Sequence, residues 1–233
     1  MRRRLEPELL DSLDPSAPLA VGSRRDLRRL NTVMGNHRLL AEALRRTVAH
    51  ASRPRVVDLA TGDGTLVSRV AQALGPLRGG GQLFLVDLFE LVTAGTRAGL
   101  EALGWQVTLD SADALSWLST RRDVGFDAII ANLFLHHLPE PTLTRLLGLV
   151  ARHARTFAAV EPRRGPWPLS LSRLVGLLGC NPVTRHDAPA SVRGGFTGRE
   201  LSGLWPDEHG WTLQERPAGL ASHVFVAERS ELR

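Results

Sequence analysis

The chain of 233 residues has no lysine and no tyrosine, a single cysteine and two methionines. Each scarcity excludes something. One cysteine, Cys180, rules out a disulfide within the chain and any cysteine-rich zinc site, and it fits a reducing, cytoplasmic setting. With Lys and Tyr absent, proton transfer falls to His, Asp and Glu. All 29 basic residues are arginine, which never titrates usefully, so the formal net charge of +5 implies no basic patch. The arginines are scattered rather than clustered with aromatics, and no nucleic-acid partner is expected. The longest apolar-leaning stretch, residues 169–179, is too short to span a bilayer and contains Arg173. Met1-Arg2-Arg3-Arg4 has no apolar segment behind it, so it is not read as a signal peptide.

What is present is enough apolar residue, 43%, to build one full core. Residues 1–20 hold Pro7, Pro15 and Pro18 and read as a loosely ordered arm. Residues 24–49 carry apolar positions at helical spacing, interrupted near Gly35-Asn36, which predicts two helices. From Arg55 the pattern alternates between apolar β-branched runs and helical stretches. It predicts strands over 55–59, 82–87, 106–110, 126–131 and 156–161, with helices over 65–74, 91–103, 114–120 and 141–155 between them. Such alternation gives right-handed crossovers and a parallel sheet covered on both faces. Residues 162–200 are proline-rich and read as an insertion with one apolar helix, 169–178. The chain then closes with β-like runs at 211–215 and 222–229. The expected organisation is an arm with two lid helices over 1–50 and an α/β domain over 51–233, in which 162–200 forms the rest of the lid.

The densest signal is Val56-Val57-Asp58-Leu59-Ala60-Thr61-Gly62-Asp63-Gly64-Thr65. A strand ends on a carboxylate, enters a glycine turn and becomes a helix, so backbone N–H groups at a helix start face a closely approaching ligand. A dinucleotide fingerprint requires a third glycine where Val67 stands, and Asp58 and Asp63 would repel a diphosphate. The segment resembles motif I of the class I S-adenosylmethionine (SAM) methyltransferases. That resemblance implies a Rossmann-like, seven-stranded, mainly parallel sheet with one antiparallel strand, and SAM as cofactor.

Further resemblances follow in order along the chain. Asp87 ends the second strand, where the family's carboxylate takes the ribose hydroxyls; a helix-capping role is the alternative. After the third strand, Asp113 matches the acid that accepts from the adenine amino group, with Asp110 as a competitor and helix capping as a second role. Asn132-Leu133-Phe134-Leu135-His136-His137-Leu138 follows the fourth strand, as in many small-molecule methyltransferases. The expected cofactor set is Asp58, Ala60, Gly62, Gly64, Asp87, Leu88, Asp113, Ala114, Asn132 and Leu133.

Methyl transfer from a sulfonium needs alignment and, for a phenolic acceptor, a base. Forming phenolate at pH 7 costs about 4 kcal/mol, roughly three units at ~1.36 each, and a histidine offsets much of that. The expected catalytic set is His136 as base, Glu161 orienting it from the fifth strand, and His137. The alternative for Glu161 is an ion pair with Arg163 or Arg164, and His37 and His186 are rivals for the base. No metal is expected: the fourth strand ends in Asn132 rather than a carboxylate, and adjacent histidines point their rings apart.

The expected lid wall is apolar (Met34, Trp167, Leu171, Leu174, Leu178 and Phe196), suiting an aromatic or lipid-like small molecule. Arg163, Arg164, Arg185 and Arg193 are candidates to meet an acidic oxygen on it. Residues 179–187 resemble bacterial methyltransferases encoded beside type III polyketide synthases, implying phenolic or pyrone-like polyketide acceptors and O-methylation. A quinone-pathway C-methyltransferase, a non-catalytic SAM-binding regulator and a protein or nucleic-acid methyltransferase are the alternatives, and homodimer formation is left open.

Overall fold

The computed structural model describes residues 1–121, 125–206 and 209–230. After a short helix α1 (Leu9–Ser12) come two longer ones, α2 (Pro18–Met34) and α3 (Asn36–His50), separated by Gly35 in the left-handed conformation at φ 69°. Only glycine adopts that conformation without penalty, which is why the chain turns there. The alternating region follows: β1 (Arg55–Leu59), α4 (Thr65–Leu74), β2 (Gly81–Asp87), α5 (Ala94–Ala102), β3 (Trp105–Ser111), α6 (Ala114–Ser119), β4 (Phe126–Asn132), α7 (Glu140–His153) and β5 (Ala154–Pro162). A 3₁₀ turn, Leu135–His137, sits between β4 and α7. The C-terminal part contains α8 (Pro166–Arg173), α9 (Pro182–Gly194), α10 (Glu200–Leu204), β6 (Trp211–Ala218) and β7 (Ser222–Arg229).

The seven strands form one sheet in the order β3-β2-β1-β4-β5-β7-β6, parallel except for β7, which runs antiparallel to both neighbours. This is the Rossmann-like architecture expected from the sequence. Strand order reverses between β1 and β4, and the crevice beyond the carboxyl ends of strands at such a switch is where open α/β sheets bind ligands. Central strands buried on both faces must be apolar throughout, and β4 shows the reason. Ile129 belongs to the core cluster of Phe157, Phe225, Leu146 and Leu147, whereas Ala128 and Ile130 belong to a second one with Leu40, Leu44, Val67 and Leu100.

Two sequence expectations are corrected. The N-terminal arm is not loose. Asp187 accepts from the backbone N–H of Leu9 (2.8 Å) and Leu10 (3.0 Å), Arg3 donates to the Gly194 carbonyl (2.8 Å), and the Arg4 N–H donates to that of Arg193 (3.1 Å). The proline-rich insertion holds a helix, α9, that its prolines concealed. Pro182 occupies the first turn, where no N–H is needed, and the Asn181 side chain caps it by accepting from Thr184 at 2.9 Å. No described helix is long and apolar enough to cross a membrane.

The helical layer is keyed to the sheet by one buried amide. Asn36, fully buried, donates to Asn31 Oδ1 on α2 and Asn132 Oδ1 on β4, both at 2.9 Å, and accepts from the Ser222 hydroxyl of β7 at 2.9 Å. Replacing Asn36 with Ala strands these partners without solvent. Urea unfolding is expected to show a loss of about 3 kcal/mol, at ~1–3 kcal/mol for each buried polar group left unsatisfied.

Candidate active site

The glycine loop after β1 forms the floor of the crevice. Ala60, Gly62 and Gly64 have φ of 56°, 58° and 72°. Ala60 and Leu133 (φ 51°) are the two non-glycine residues with positive φ among those described, and both line the same pocket. Backbone strain of this kind collects at functional sites. Nothing lies within 4 Å of where a Gly62 side chain would project, so the backbone is bare toward the crevice. Gly64 precedes α4 and provides no side-chain cap, while Asp63 accepts from the Thr65 N–H at 3.0 Å and pairs with Arg28 of α2.

Asp58 is buried at the end of β1, with its carboxylate accepting from the Thr61 hydroxyl at 2.7 Å. Burial pushes its pKa up to about 7 against the opposing Thr61 hydrogen bond, and the neighbouring Asp87 charge adds to the rise. Asp87 ties the loops together: its two oxygens accept from the N–H of Gly62 (2.8 Å) and Phe89 (3.1 Å). An ionised carboxylate has about four lone-pair sites, so acceptor capacity remains toward the crevice. Beside it Leu88 is 65% exposed, an apolar surface with nothing packed over it. Asp113 caps α6 by accepting from Ser116 at 2.8 Å, with Ala114 buried beneath it. Its competitor Asp110 accepts from the Trp117 indole at 2.9 Å and lies 3.5 Å from Arg121, so its role is structural.

The pocket has a cavity of about 160 Å³. Asp58, Ala60, Thr61, Gly62 and Asp63 line it from the loop, and Asn132 and Leu133 from the end of β4. Its remaining wall comes from α2 (Arg24, Leu27, Arg28, Asn31), His37 of α3, and Thr65, Leu66 and Arg69 of α4. Arg24 and Arg69 hydrogen-bond neutral oxygens, of Pro15 and Thr32, and neither forms an ion pair among the described residues. His37 Nδ1 is buried without a hydrogen-bond partner. Its pKa is lowered, first by burial and then by the charges of Arg69 and Arg38, so its ring is neutral at pH 7.

The catalytic set expected from the sequence lies elsewhere. His136 and Glu161 do meet, at 2.7 Å through Nδ1, and Glu161 also accepts from the backbone N–H of Phe134, Leu135 and His136. His136 is 4% exposed and lines no part of the pocket, being covered instead by Glu8 of the N-terminal arm. Burial alone would lower its pKa, but the Glu161 hydrogen bond and then Glu8 raise it to about 9. An imidazolium held between two carboxylates, away from the pocket, is poorly placed to act as base for an acceptor bound there. His137 faces Asp11 of the arm at 3.2 Å.

The apolar lid is corrected likewise. Trp167, Leu174 and Leu178 are 60%, 51% and 63% exposed, Phe196 is buried in the core, and none of these, nor Met34 or Leu171, lines the pocket. Instead α9 braces the wall: Asp26 of α2 accepts from the Asn181 N–H at 2.7 Å and from the Thr184 hydroxyl at 3.2 Å. Arg164 and Arg193 pair with Glu200 and Glu6, and Arg163 donates to the Leu220 carbonyl at 2.6 Å. Arg28, Asn31 and Arg69 were not foreseen. One signal was available for Asn36, a polar residue on the otherwise apolar stripe with Leu40, Leu44 and Val48.

A family described as "Methyltransferase domain" matches residues 56–156, from β1 into β5. No curated protein sequence matches the chain. Among solved structures, an O-methyltransferase family protein from Burkholderia thailandensis aligns over 94% of this chain with a TM-score of 0.61 and 16% identity. This chain covers 62% of that protein's length. The plantazolicin methyltransferase BamL aligns over 92% of both chains, with a TM-score of 0.62 and 13% identity. Magnesium protoporphyrin IX methyltransferase from Synechocystis, solved with bound SAH, aligns over 95% of this chain and 91% of its own, at 0.54 and 16%. At these identities the likeness is one of fold.

The buried Asp58 yields a pH dependence. Its folded pKa of about 7 lies above the value near 4 of an unfolded chain, so the native state holds the proton more tightly. Stability from this group is fully present below pH ~4 and is lost as pH rises through ~7. Asp58→Asn removes that loss. Denaturant titrations are expected to show the variant gaining about 2–4 kcal/mol on the wild type between pH 4 and 8, three units at ~1.36 each being the upper bound. Parallel curves would show that Asp58 ionises normally.

Proposed function

We propose that the chain transfers a methyl group from SAM to an oxygen of a phenolic or pyrone-like small molecule. The SAM dependence rests on the methyltransferase-domain match over residues 56–156 and on the fold, and the O-methylation and the class of acceptor go further as our reading. The observation that carries this reading is the pocket, where a neutral imidazole, His37, and two arginines with no carboxylate partner among the described residues face the strained loop–strand junction at the switch point.

The residues fit the donor. The bare Gly62 backbone admits close approach, Asp87 keeps lone pairs for hydroxyls beside the exposed Leu88, and Asp58 can meet a cationic group. Asn132 and Leu133 line the pocket; Ala114, buried behind the Asp113 cap, does not, and its part in the donor set rests on the sequence resemblance alone. Bound there, SAM supplies a methyl group already activated by its sulfonium charge, leaving little covalent chemistry to the protein. Its own residues then orient the acceptor and manage one proton. The positive field of Arg24 and Arg69 favours an ionised acceptor oxygen and offsets part of the ~4 kcal/mol needed to form phenolate at pH 7. Unprotonated His37 accepts the proton that leaves. The walls of Leu27, Leu66 and Leu133 pack on an aromatic ring.

A mass-spectrometric screen of phenols, pyrones and quinols with SAM identifies the acceptor by gain of one methylene. With the best acceptor, His37→Ala is expected to lower kcat by about 10²–10⁴ while SAM affinity by calorimetry stays unchanged. A variant that turns over normally excludes His37 as base. In the same calorimetry, Asp87→Ala is expected to weaken SAM binding by about tenfold or more, at ~1.4 kcal/mol per lost charge-assisted hydrogen bond. Equal affinities would remove the carboxylate from the donor site.

A further inference from the structure

The histidines expected to diverge do the opposite. The 3₁₀ turn of Leu135–His137 is tightened by Glu161, which accepts three successive backbone N–H groups, and it stacks the two rings with centroids 4.1 Å apart and planes tilted by 40°. Both rings face Glu8 of the arm, and one ligand atom from each of Glu8, His136 and His137 lies within 4.8 Å of the others. We propose that these three side chains form a binding site for one divalent metal ion of the zinc class, which fastens the N-terminal arm over the end of β4.

Three observations carry this beyond a cluster of charges. His136 Nε2 is buried with no close hydrogen-bond partner among the described residues, the nearest carboxylate oxygen, Glu8 Oε1, standing 3.4 Å away. A charge-assisted hydrogen bond would close to about 2.7–2.9 Å. The edge of a tetrahedron built on metal–ligand bonds of ~2.0–2.1 Å is about 3.3–3.5 Å, which matches the observed gap. The gap accommodates an ion between its members, and binding would displace the proton that His136 otherwise carries there.

The outer contacts are those that orient metal ligands. Glu161 holds His136 Nδ1 at 2.7 Å, so Nε2 is the nitrogen left to coordinate. Asp11 stands 3.2 Å from His137 Nδ1, placing a carboxylate on each ring, and the Ser191 hydroxyl donates to Glu8 at 2.5 Å. A carboxylate behind each imidazole fixes its tautomer and raises its basicity as a ligand.

The donor set selects the metal. Two imidazoles and one carboxylate suit zinc or a similar transition ion, whereas calcium and magnesium prefer an all-oxygen shell. Three protein ligands leave a fourth position for water on the side of the partly exposed His137. The ion would join residues distant in sequence, Glu8 of the arm and His136-His137 after β4, beside the Asp187 and Arg193 contacts that already hold the arm to α9. The inference depends on neither the methyl donor nor the acceptor.

The test uses the full chain without a histidine tag, stripped with chelator and titrated with Zn²⁺ against a chromophoric competitor, then with Co²⁺. The expected result is one ion per chain, an intense visible Co²⁺ spectrum of tetrahedral type, a raised Tm, and slower proteolysis of residues 1–17 in the loaded protein. Glu8→Gln and His137→Ala, both outside the core, are each expected to weaken binding by at least about tenfold with unchanged circular dichroism. His50→Ala, at an exposed histidine on α3, leaves it as it was. Loss of the signal in His50→Ala, wild-type affinity in both cluster variants, or a weak octahedral Co²⁺ spectrum would overturn the proposal.

Discussion

A fully buried asparagine fixes where the pocket is. Asn36 has two amide hydrogens and a carbonyl oxygen out of reach of water, and each must find a partner or cost about 1–3 kcal/mol. It finds them on three elements, α2, β4 and β7, through Asn31, Asn132 and Ser222. Such a network tolerates one arrangement only, because a shift of α3 leaves several groups unsatisfied together. The left-handed Gly35 then sends α2 back across the carboxyl edge of the sheet, and the cavity is the space left between α2, α3 and the strained loop after β1.

Two histidine environments follow. His37, one residue beyond the key asparagine, is carried into the cavity, where burial and then the charges of Arg69 and Arg38 hold its pKa down. His136, after β4, is drawn into the space between sheet and arm and surrounded by carboxylates. In a chain with neither lysine nor tyrosine, the placement of its histidines decides which one can do acid–base work. The same rotation of the chain past Leu133, at φ 51°, turns Asn132 toward the cavity and the following residues toward the arm. The pocket and the attachment of the arm thereby lie on opposite sides of one strand end.

The sheet was readable because its central strands, such as β1 and β4, are buried on both faces and read as apolar runs; β1, α4 and β7 appear at the boundaries the pattern predicts. The β1 loop was readable because it follows a strand at the edge where open sheets bind ligands, whereas Asp87, ending β2, and Asp113, capping α6, are not among the residues lining the pocket. The pocket wall was not. It comes from α2, whose pocket-facing Arg24, Arg28 and Asn31 look like an ordinary solvated face, and tertiary placement alone distinguishes them. The proline content of α9 hid a helix whose first proline sits where the helix begins. The His136–Glu161 contact was visible from strand adjacency, but the covering carboxylate, Glu8, lies more than a hundred residues away in a segment with no periodicity. Local pattern carries no information about such a partner.

The most direct test of this account is a crystal structure with S-adenosylhomocysteine and a methyl acceptor bound together. The account predicts the ribose hydroxyls at Asp87, and the acceptor oxygen within hydrogen-bond distance of His37 on the α2 side of Leu133. An acceptor oxygen seated against His136, with the arm and Glu8 displaced, would contradict it.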